Sequence, residues 1–513
     1  MRKKLLPLPL VLFSVCALAL ASEGGAVEAR QGDQRPGGWL GLKLALSISP
    51  ELRKDLTLPP DLNGLLVLGV FSGTPAQDCG LAVGDVLAKI DGESLSDIAQ
   101  IKAKGAGARV KFEVYRDAAA RPVTCTLGAF TATLGMQVSN TPSGPRLESF
   151  PGIEKDKGMR KLGWPAQSVY IRSLDGQPMK DISQIKAALA RLKPYDMASL
   201  ELYSAKKNIA MQVKLGEGDP PPMGFLLERP ASGRAPRTLV VSADGKGDYL
   251  SPLGALLRSG PGDTLLLRAG RYAEPITVFV SRRTLRGEGE ATVLTGMLWL
   301  GGVRDVTVED LSLEQKPGVP DIDTTLWVLN ASDVVLRRLN VSGGRLGIAV
   351  QSSKDVSVED CRARKAVVGL LIHGSQAKVL RSLFHDNGDG VIVSLGSTAT
   401  LRSLTVVDNR SSGVTADASR IELYDSILAG SPTLLKCQSD CGYSGGYNDY
   451  SEGSMSADLM KNTDIALDPL FAERLKGDYR LSLESPLIGR GRGGGHIGAL
   501  PPAGAGAGAD GFR

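Results

Sequence analysis

Apolar triplets return along the C-terminal half of this chain at an interval that fits no single helix or strand. Gly347, Gly369, Gly390 and Gly413 stand 22, 21 and 23 residues apart. Each opens a short apolar run: Ile348-Ala349-Val350, Leu370-Leu371-Ile372, Val391-Ile392-Val393 and Val414-Thr415-Ala416. A second series precedes them: Val335-Leu336, Val356-Ser357-Val358, Val379-Leu380 and Thr400-Leu401. Val306-Thr307-Val308 begins that series ahead of an insertion at 317–323. Short strands at this period, with no helical stretch between them, predict a solenoid of β-coils. A leucine-rich horseshoe would need Leu-x-x-Leu-x-Leu phasing with Asn at one fixed place, and the pattern lacks it.

The N-terminal half alternates differently. Trp39-Leu40-Gly41-Leu42-Lys43-Leu44 reads as a strand, and residues 65–71 as a second, wholly apolar one. Gly73-Thr74-Pro75 turns the chain into a short helix over 76–80. Residues 84–92 form a strand closed by the Asp91-Gly92 turn. A helix is expected over 96–104 with Ser96 as its N-cap, then closing strands over 109–116 and 122–127. Residues 131–216 repeat parts of this order. Leu134-Gly135-Met136 echoes Leu40-Gly41-Leu42, and the strand from Val169 ends in Asp175-Gly176. A helix over 181–192 precedes strands from 198 to 213.

Several motifs of the first unit occur together at matching offsets: Gly73-Thr74-Pro75-Ala76, Cys79-Gly80-Leu81, Val83-Gly84-Asp85-Val86-Leu87 and Ile90-Asp91-Gly92. Residues 38–128 thereby resemble the PDZ domains of bacterial envelope serine proteases of the Htr type. Residues 131–216 resemble a degenerate PDZ-like domain, with Gly163-Trp164-Pro165-Ala166 replacing the Ala-Gly-Leu and Gly-Asp elements. The resemblance implies peptide capture by β-strand addition, with loop N–H groups receiving a protein C-terminal carboxylate. The corresponding loop is Trp39, Leu40, Gly41 and Leu42, and Leu42, Ile98 and Ile101 are the expected pocket walls. Ile98 and Ile101 would equally serve to pack their helix on the sheet, since i, i+3 spacing fits both roles. All three histidines, His373, His385 and His496, lie outside this unit. A groove histidine selecting a ligand hydroxyl is therefore excluded, and an apolar terminal side chain is expected.

The repeat region resembles right-handed parallel β-helices of the pectin-lyase type. Its opening, Val240-Val241-Ser242-Ala243-Asp244-Gly245 with Gly262-Asp263-Thr264 and Ala269-Gly270-Arg271-Tyr272, is similar to that of pectinesterases. Asp468-Pro469-Leu470-Phe471 and Gly477-Asp478-Tyr479-Arg480-Leu481 resemble closing segments of secreted β-helix proteins. The stretches that carry pectinesterase catalysis have no counterpart, so esterase chemistry is not carried over. The fold class expected is thus multidomain and mainly β: PDZ-type α+β domains, then a right-handed parallel β-helix over 238–499.

The densest polar cluster in the solenoid is His385-Asp386-Asn387-Gly388-Asp389. His385, Asp386 and Asp389 are the catalytic candidates there, because uronate lyases and epimerases pair a base with carboxylate neutralisation, sometimes by Ca²⁺. Arg337, Arg338, Arg381 and Arg402 are candidates for holding an acidic polysaccharide. Against this, Asn387 and Asn409 lie one coil apart and suit a turn ladder, and the arginines suit a solvated face. Two readings follow. One is a non-enzymatic scaffold that needs no cofactor, with PDZ grooves for protein C-termini and an elongated surface for glycan. The other is a uronate lyase or epimerase with PDZ recruitment modules.

Composition and charge narrow the setting. Gly reaches 62 residues against 10 Phe and 4 Trp, which suits a turn-rich β repeat. Arg2, Lys3 and Lys4, an apolar run to Leu20 and Ala19-Leu20-Ala21 read as a signal peptide over 1–21, followed by a leader over 22–37. Its removal takes three positive charges from a net +5 and leaves +2, which gives no nucleic-acid footprint. No later apolar run is long enough to span a membrane. An exported protein, periplasmic or extracellular, is expected. Residues 217–237 read as a Pro-rich linker and 500–513 as a disordered tail. Cys437 and Cys441 are spaced to close a small disulfide. Cys79, Cys125 and Cys361 are expected as buried apolar side chains, and no metal site is expected.

Overall fold

A computed structural model describes residues 38–45, 48–71, 73–133, 137–141, 144–149, 169–193, 196–204, 207–218, 235–315 and 324–504. The signal sequence, the leader, Leu134-Gly135-Met136, Gly163-Trp164-Pro165-Ala166, most of the linker, the 317–323 insertion and the end of the tail lie outside these residues. The chain divides into two units: residues 1–46 with 63–225, and residues 47–62 with 226–513.

In the first unit, β1 (Gly38–Trp39) pairs antiparallel with β8 (Gly128–Ala129). A sheet runs in the order β2 (Leu42–Ala45), β3 (Leu65–Val70), β4 (Val86–Ile90), β6 (Arg109–Arg116), β7 (Ala119–Thr126), with β5 (Glu93–Ser94) on β4. The alternation along β6 buries Val110, Phe112 and Val114, with Val110 opposite Cys125 of β7. The expected N-cap shifts by one residue. Asp97 caps the helix Ile98–Ala103, and Gln100 closes a capping box, because the Asp97 carboxylate is placed to accept from Ala99 N–H at 2.8 Å.

The following residues repeat that topology strand for strand. β9 (Thr131–Thr133) pairs with β16 (Gly216–Gly218) as β1 does with β8. A sheet of order β10 (Gln137–Thr141), β11 (Gly144–Ser149), β12 (Tyr170–Leu174), β14 (Met197–Ser204), β15 (Lys207–Lys214) carries β13 (Gln177–Pro178) on β12. The helix Ile182–Leu189, capped by Asp181, takes the place of Ile98–Ala103. Leu147, Ile171, Leu174, Ile185, Leu200 and Leu202 supply its own core.

The cysteines correct one expectation. Cys79 and Cys125 are joined in a disulfide, with Cα atoms 5.2 Å apart. Spanning 46 residues, such a link limits the unfolded chain by about 4 kcal/mol on a chain-entropy basis. Cys437 pairs with Cys441, and among the described residues Cys361 alone is a free buried thiol.

The second unit is a stack of parallel coils. One sheet of nine parallel strands runs from Ile276–Val278 to Ser454–Met455. Leu326, Ile348, Leu370, Val391, Val414 and Leu435 align in register on its inner side, all buried. Most of the remaining strands alternate as two further strands per coil, while Arg304–Glu314 and Ser332–Ser342 each run through both positions. The second apolar series of the sequence forms one of these. The other, which includes Arg362–Arg364, Leu383–His385 and Thr405–Val407, belongs to neither apolar series. The periodic glycines have a steric cause. A Cβ on Gly347, Gly369, Gly390 or Gly413 would come within 2.6–2.8 Å of a backbone carbonyl in the next coil.

Turns are tied from coil to coil by buried side chains. Ser353 N–H donates to Ser375 Oγ, Ser375 N–H to Ser397 Oγ and Ser397 N–H to Ser419 Oγ, at 3.0–3.2 Å. At another turn Asn387 Oδ1 accepts from Ala366 N–H, Asn387 N–H donates to Asn409 Oδ1, and Asn409 N–H donates to Ser431 Oγ. The helix Pro252–Arg258, buried along most of its length, packs on the first coils. Asp55, in the short helix Pro50–Asp55, accepts from Leu250 and Ser251 N–H at 2.9 and 2.8 Å. At the other end Tyr479, Leu481, Leu487, Ile497 and Leu500 fold back over Leu383, Val407 and Ile427.

Asn387→Ala should strand the Ala366 N–H and the Ala363 carbonyl in the interior. A loss of about 2–3 kcal/mol is expected, read as an earlier urea transition of the second unit.

Candidate functional site

The loop between β1 and β2 combines unusual backbone with unmatched donors. Gly41 has φ +74°, and its missing Cβ faces the side chain of buried Thr74. The loop carbonyls are engaged: Leu40 C=O accepts from Ala76 N–H at 3.0 Å and Gly41 C=O from Phe71 N–H at 3.1 Å. Among the described residues, no acceptor meets the N–H of Leu40 or Gly41. β2 follows directly and stands at the edge of its sheet. Two unpaired donors at the head of an open strand suit an anion placed at the end of an added strand.

The structure separates the residues expected to wall the groove. Ile101 is buried at 3% exposure, a core residue of its helix, whereas Ile98 is 41% exposed. Leu40 is buried in the core, while Trp39 and Leu42 are half-buried. Of the three expected pocket walls, Leu42 and Ile98 are thus the two that remain accessible.

In the solenoid, His385 and Asp386 come together but Asp389 does not join them. His385 is 3% exposed, and its Nδ1 lies 2.7 Å from Asp386 Oδ2. Burial pushes the imidazole below its ordinary pKa, Arg362 and Arg364 act in the same direction, and the Asp386 hydrogen bond opposes them. The ring is therefore neutral at pH 7. With Nδ1–H given to Asp386, Nε2 carries a lone pair, and Nε2 has no partner among the described residues. Asp389 belongs to the nine-stranded sheet, where it accepts from Ser412 Oγ at 2.6 Å. Asn387 and Asn409 form the turn ladder described above.

The arginines proposed from sequence are committed elsewhere. Arg337 and Arg338 bind Glu309 and Asp310, and Arg381 binds Asp360 at 2.7 Å. Arg402 lies over the Tyr424 ring. Glu309 is 1% exposed; burial pushes its carboxyl up, but the hydrogen bonds from Arg337 and Arg286 outweigh that and hold it low. The arginines beside His385 are instead Arg362 and Arg364. Arg364 is the cross-strand neighbour of His385, and Asn340 that of Arg362. Asn340 Oδ1 and Arg364 Nε, like His385 Nε2, are buried without a partner. The signal was present in the sequence: Arg362 and Arg364 alternate onto one strand face, one coil before His385. Among the described residues, no group of three or more His, Cys, Asp or Glu side chains is placed to hold a metal ion.

Comparison with known proteins finds a match within each half of the chain. A PDZ domain model matches residues 66–116. Those residues are a PDZ domain. A model described as a right-handed β-helix region matches residues 299–446, so the coils wind right-handed. No curated protein sequence matches. Among solved structures, an HtrA-type protease, AlgW, with a decapeptide is 31% identical over 18% of this chain and 30% of its own, with TM-score 0.17. The chain thus spans about a third of the length of that protease. Pectate lyase Pel9A is 14% identical over 53% of this chain and 98% of its own, with TM-score 0.35. A pectin methylesterase from Aspergillus niger is 15% identical over 48% and 95%, with TM-score 0.26. Among the described residues no helix is long and apolar enough to cross a membrane.

Gly41→Ala should strain the loop through its left-handed φ and its approach to Thr74. A stability loss on the order of 1–2 kcal/mol is expected, read as a lower melting temperature of the first unit.

Proposed function

We propose that this protein is an exported scaffold whose first PDZ domain captures the free C-terminus of a protein partner, with the β-helix as an elongated second surface. The observation that carries the reading is the pair of unmatched N–H groups at Leu40 and Gly41 beside the edge strand β2. A carboxylate would accept from both, the peptide backbone would extend the sheet along β2, and an apolar terminal side chain would lie against Leu42 and Ile98. Two disulfides fit a protein that works in an oxidising compartment. The test is a titration of the full chain with peptides ending in Val or Leu, as free acids and as C-terminal amides. The free acids should bind at least about tenfold more tightly; equal affinity would refute the carboxylate loop.

A second reading is favoured by the cluster around His385. Two unmatched acceptors, Asn340 Oδ1 and His385 Nε2, call for hydroxyl donors, while Arg364, whose Nε is also unmatched, calls for an anion. A sugar acid carries both. Oligogalacturonate and oligomannuronate should shift amide signals near Arg364, neutral oligosaccharides should not, and Arg364→Ala should abolish the effect. Absence of any shift with either acid removes this reading and leaves the peptide reading standing.

A further inference from the structure

We propose that the Cys79–Cys125 disulfide is the positioning element of the carboxylate-receiving loop, so that its redox state sets the affinity of the PDZ domain for peptide C-termini. The inference rests on the peptide-capture reading above. It starts from the helix Pro75–Asp78, a single turn of four residues. A helix this short does not hold itself, so its place is fixed by what it touches.

On one side it touches the loop. Ala76 N–H donates to Leu40 C=O at 3.0 Å, and buried Thr74, its N-cap residue, is the wall against which Gly41 sits. On the other side Cys79, its C-cap residue, is bonded to Cys125 in β7. The path from the sheet to the loop is therefore β7, the disulfide, the helix, the Leu40 carbonyl, and then the two N–H groups that await the ligand. Cys125 is 1% exposed and fixed within β7, whereas Cys79 is half-buried and lies at the helix end.

Opening the disulfide leaves the rest of the domain tied. Arg116 donates to Gly80 C=O at 2.8 Å and forms an ion pair with fully buried Asp85. Asp85 in turn accepts from Ala82 N–H at 2.8 Å. The chain just after Cys79 thus keeps its anchor to β6, and the loss falls on the helix and the loop. The chemistry is thiol–disulfide exchange with a dithiol. One thiolate attacks a sulfur and breaks the S–S bond, forming a mixed disulfide. The second thiolate displaces it; Cys79 and Cys125 leave as thiols, and the dithiol, having given two electrons, leaves as a disulfide.

The experiment uses the full chain and a free-acid peptide, with affinity read by fluorescence anisotropy and amide hydrogen exchange read in parallel. Four samples are compared: oxidised protein, protein held in dithiothreitol, the Cys79→Ser/Cys125→Ser variant, and the oxidised Cys437→Ser/Cys441→Ser variant. The expected result is about tenfold weaker binding in the second and third samples and unchanged binding in the fourth. Amides at Leu40 and Gly41 should exchange faster in the second and third, while those of Val67 and Val86 stay protected. Equal affinity in all four samples overturns the proposal. Weaker binding accompanied by loss of protection at Val67 and Val86 also overturns it, since the disulfide would then hold the domain rather than the loop. If the oxidised protein binds acid and amide alike, it is the peptide-capture reading that fails.

Discussion

Everything in the second unit depends on one distance, the strand spacing of about 4.8 Å at which parallel backbones hydrogen-bond. Each coil must return to the same point, one strand spacing higher, after 21 to 23 residues in the regular part of the stack. At the tightest point of that return the backbone of one coil lies against the carbonyl of the next, and only glycine fits there, as at Gly369 and Gly390. The buried turns then face a second requirement, since their N–H groups have no strand partner. Serine and asparagine side chains meet it by accepting from the coil before. The solenoid is therefore built from two repeated solutions, a missing side chain where backbones crowd and a short polar one where they part.

Those solutions explain what was legible. The glycine period announced the coils, and the spacing of Asn387 and Asn409 announced one ladder. Ser353, Ser375, Ser397 and Ser419 recur every 22 residues and were equally open to reading. Their period is a weaker signal because serine is common in turns of any kind. The third strand of each coil escaped because its triplets mix polar and apolar residues on an outer face. That face is exposed in some coils, and in others it is covered by the returning C-terminal segment. The partners of Arg337, Arg338 and Arg381 escaped for a related reason. Glu309, Asp310 and Asp360 lie 28, 28 and 21 residues upstream, and only a known coil register converts such separations into contacts.

In the first unit the sequence was most informative where local geometry is demanding. The Asp-Gly turns and the hydrophobic-Gly-hydrophobic loop are short-range statements, and each marks a place where the chain must bend sharply. The disulfide between Cys79 and Cys125 is a long-range statement. Cys79 ends a short helix and Cys125 alternates along a strand, so both read as ordinary core residues until the fold sets β7 beside the helix Pro75–Asp78. The separation of Ile98 from Ile101 is similar: the spacing places both on one helix face, and only the position of the sheet decides which is covered.

The helix Pro50–Asp55 carries a consequence for how the protein is made. It lies between β2 and β3 in sequence, yet its carboxylate Asp55 closes on Leu250 and Ser251, 195 and 196 residues later. During synthesis at about 5–20 residues per second, this segment must wait roughly 10 to 40 seconds for its partners to emerge. The β-strands on either side of it can pair long before that. The excursion is thus the last part of the N-terminal hundred residues to find its place, and the second unit is complete only when chain from both ends of the molecule has been made.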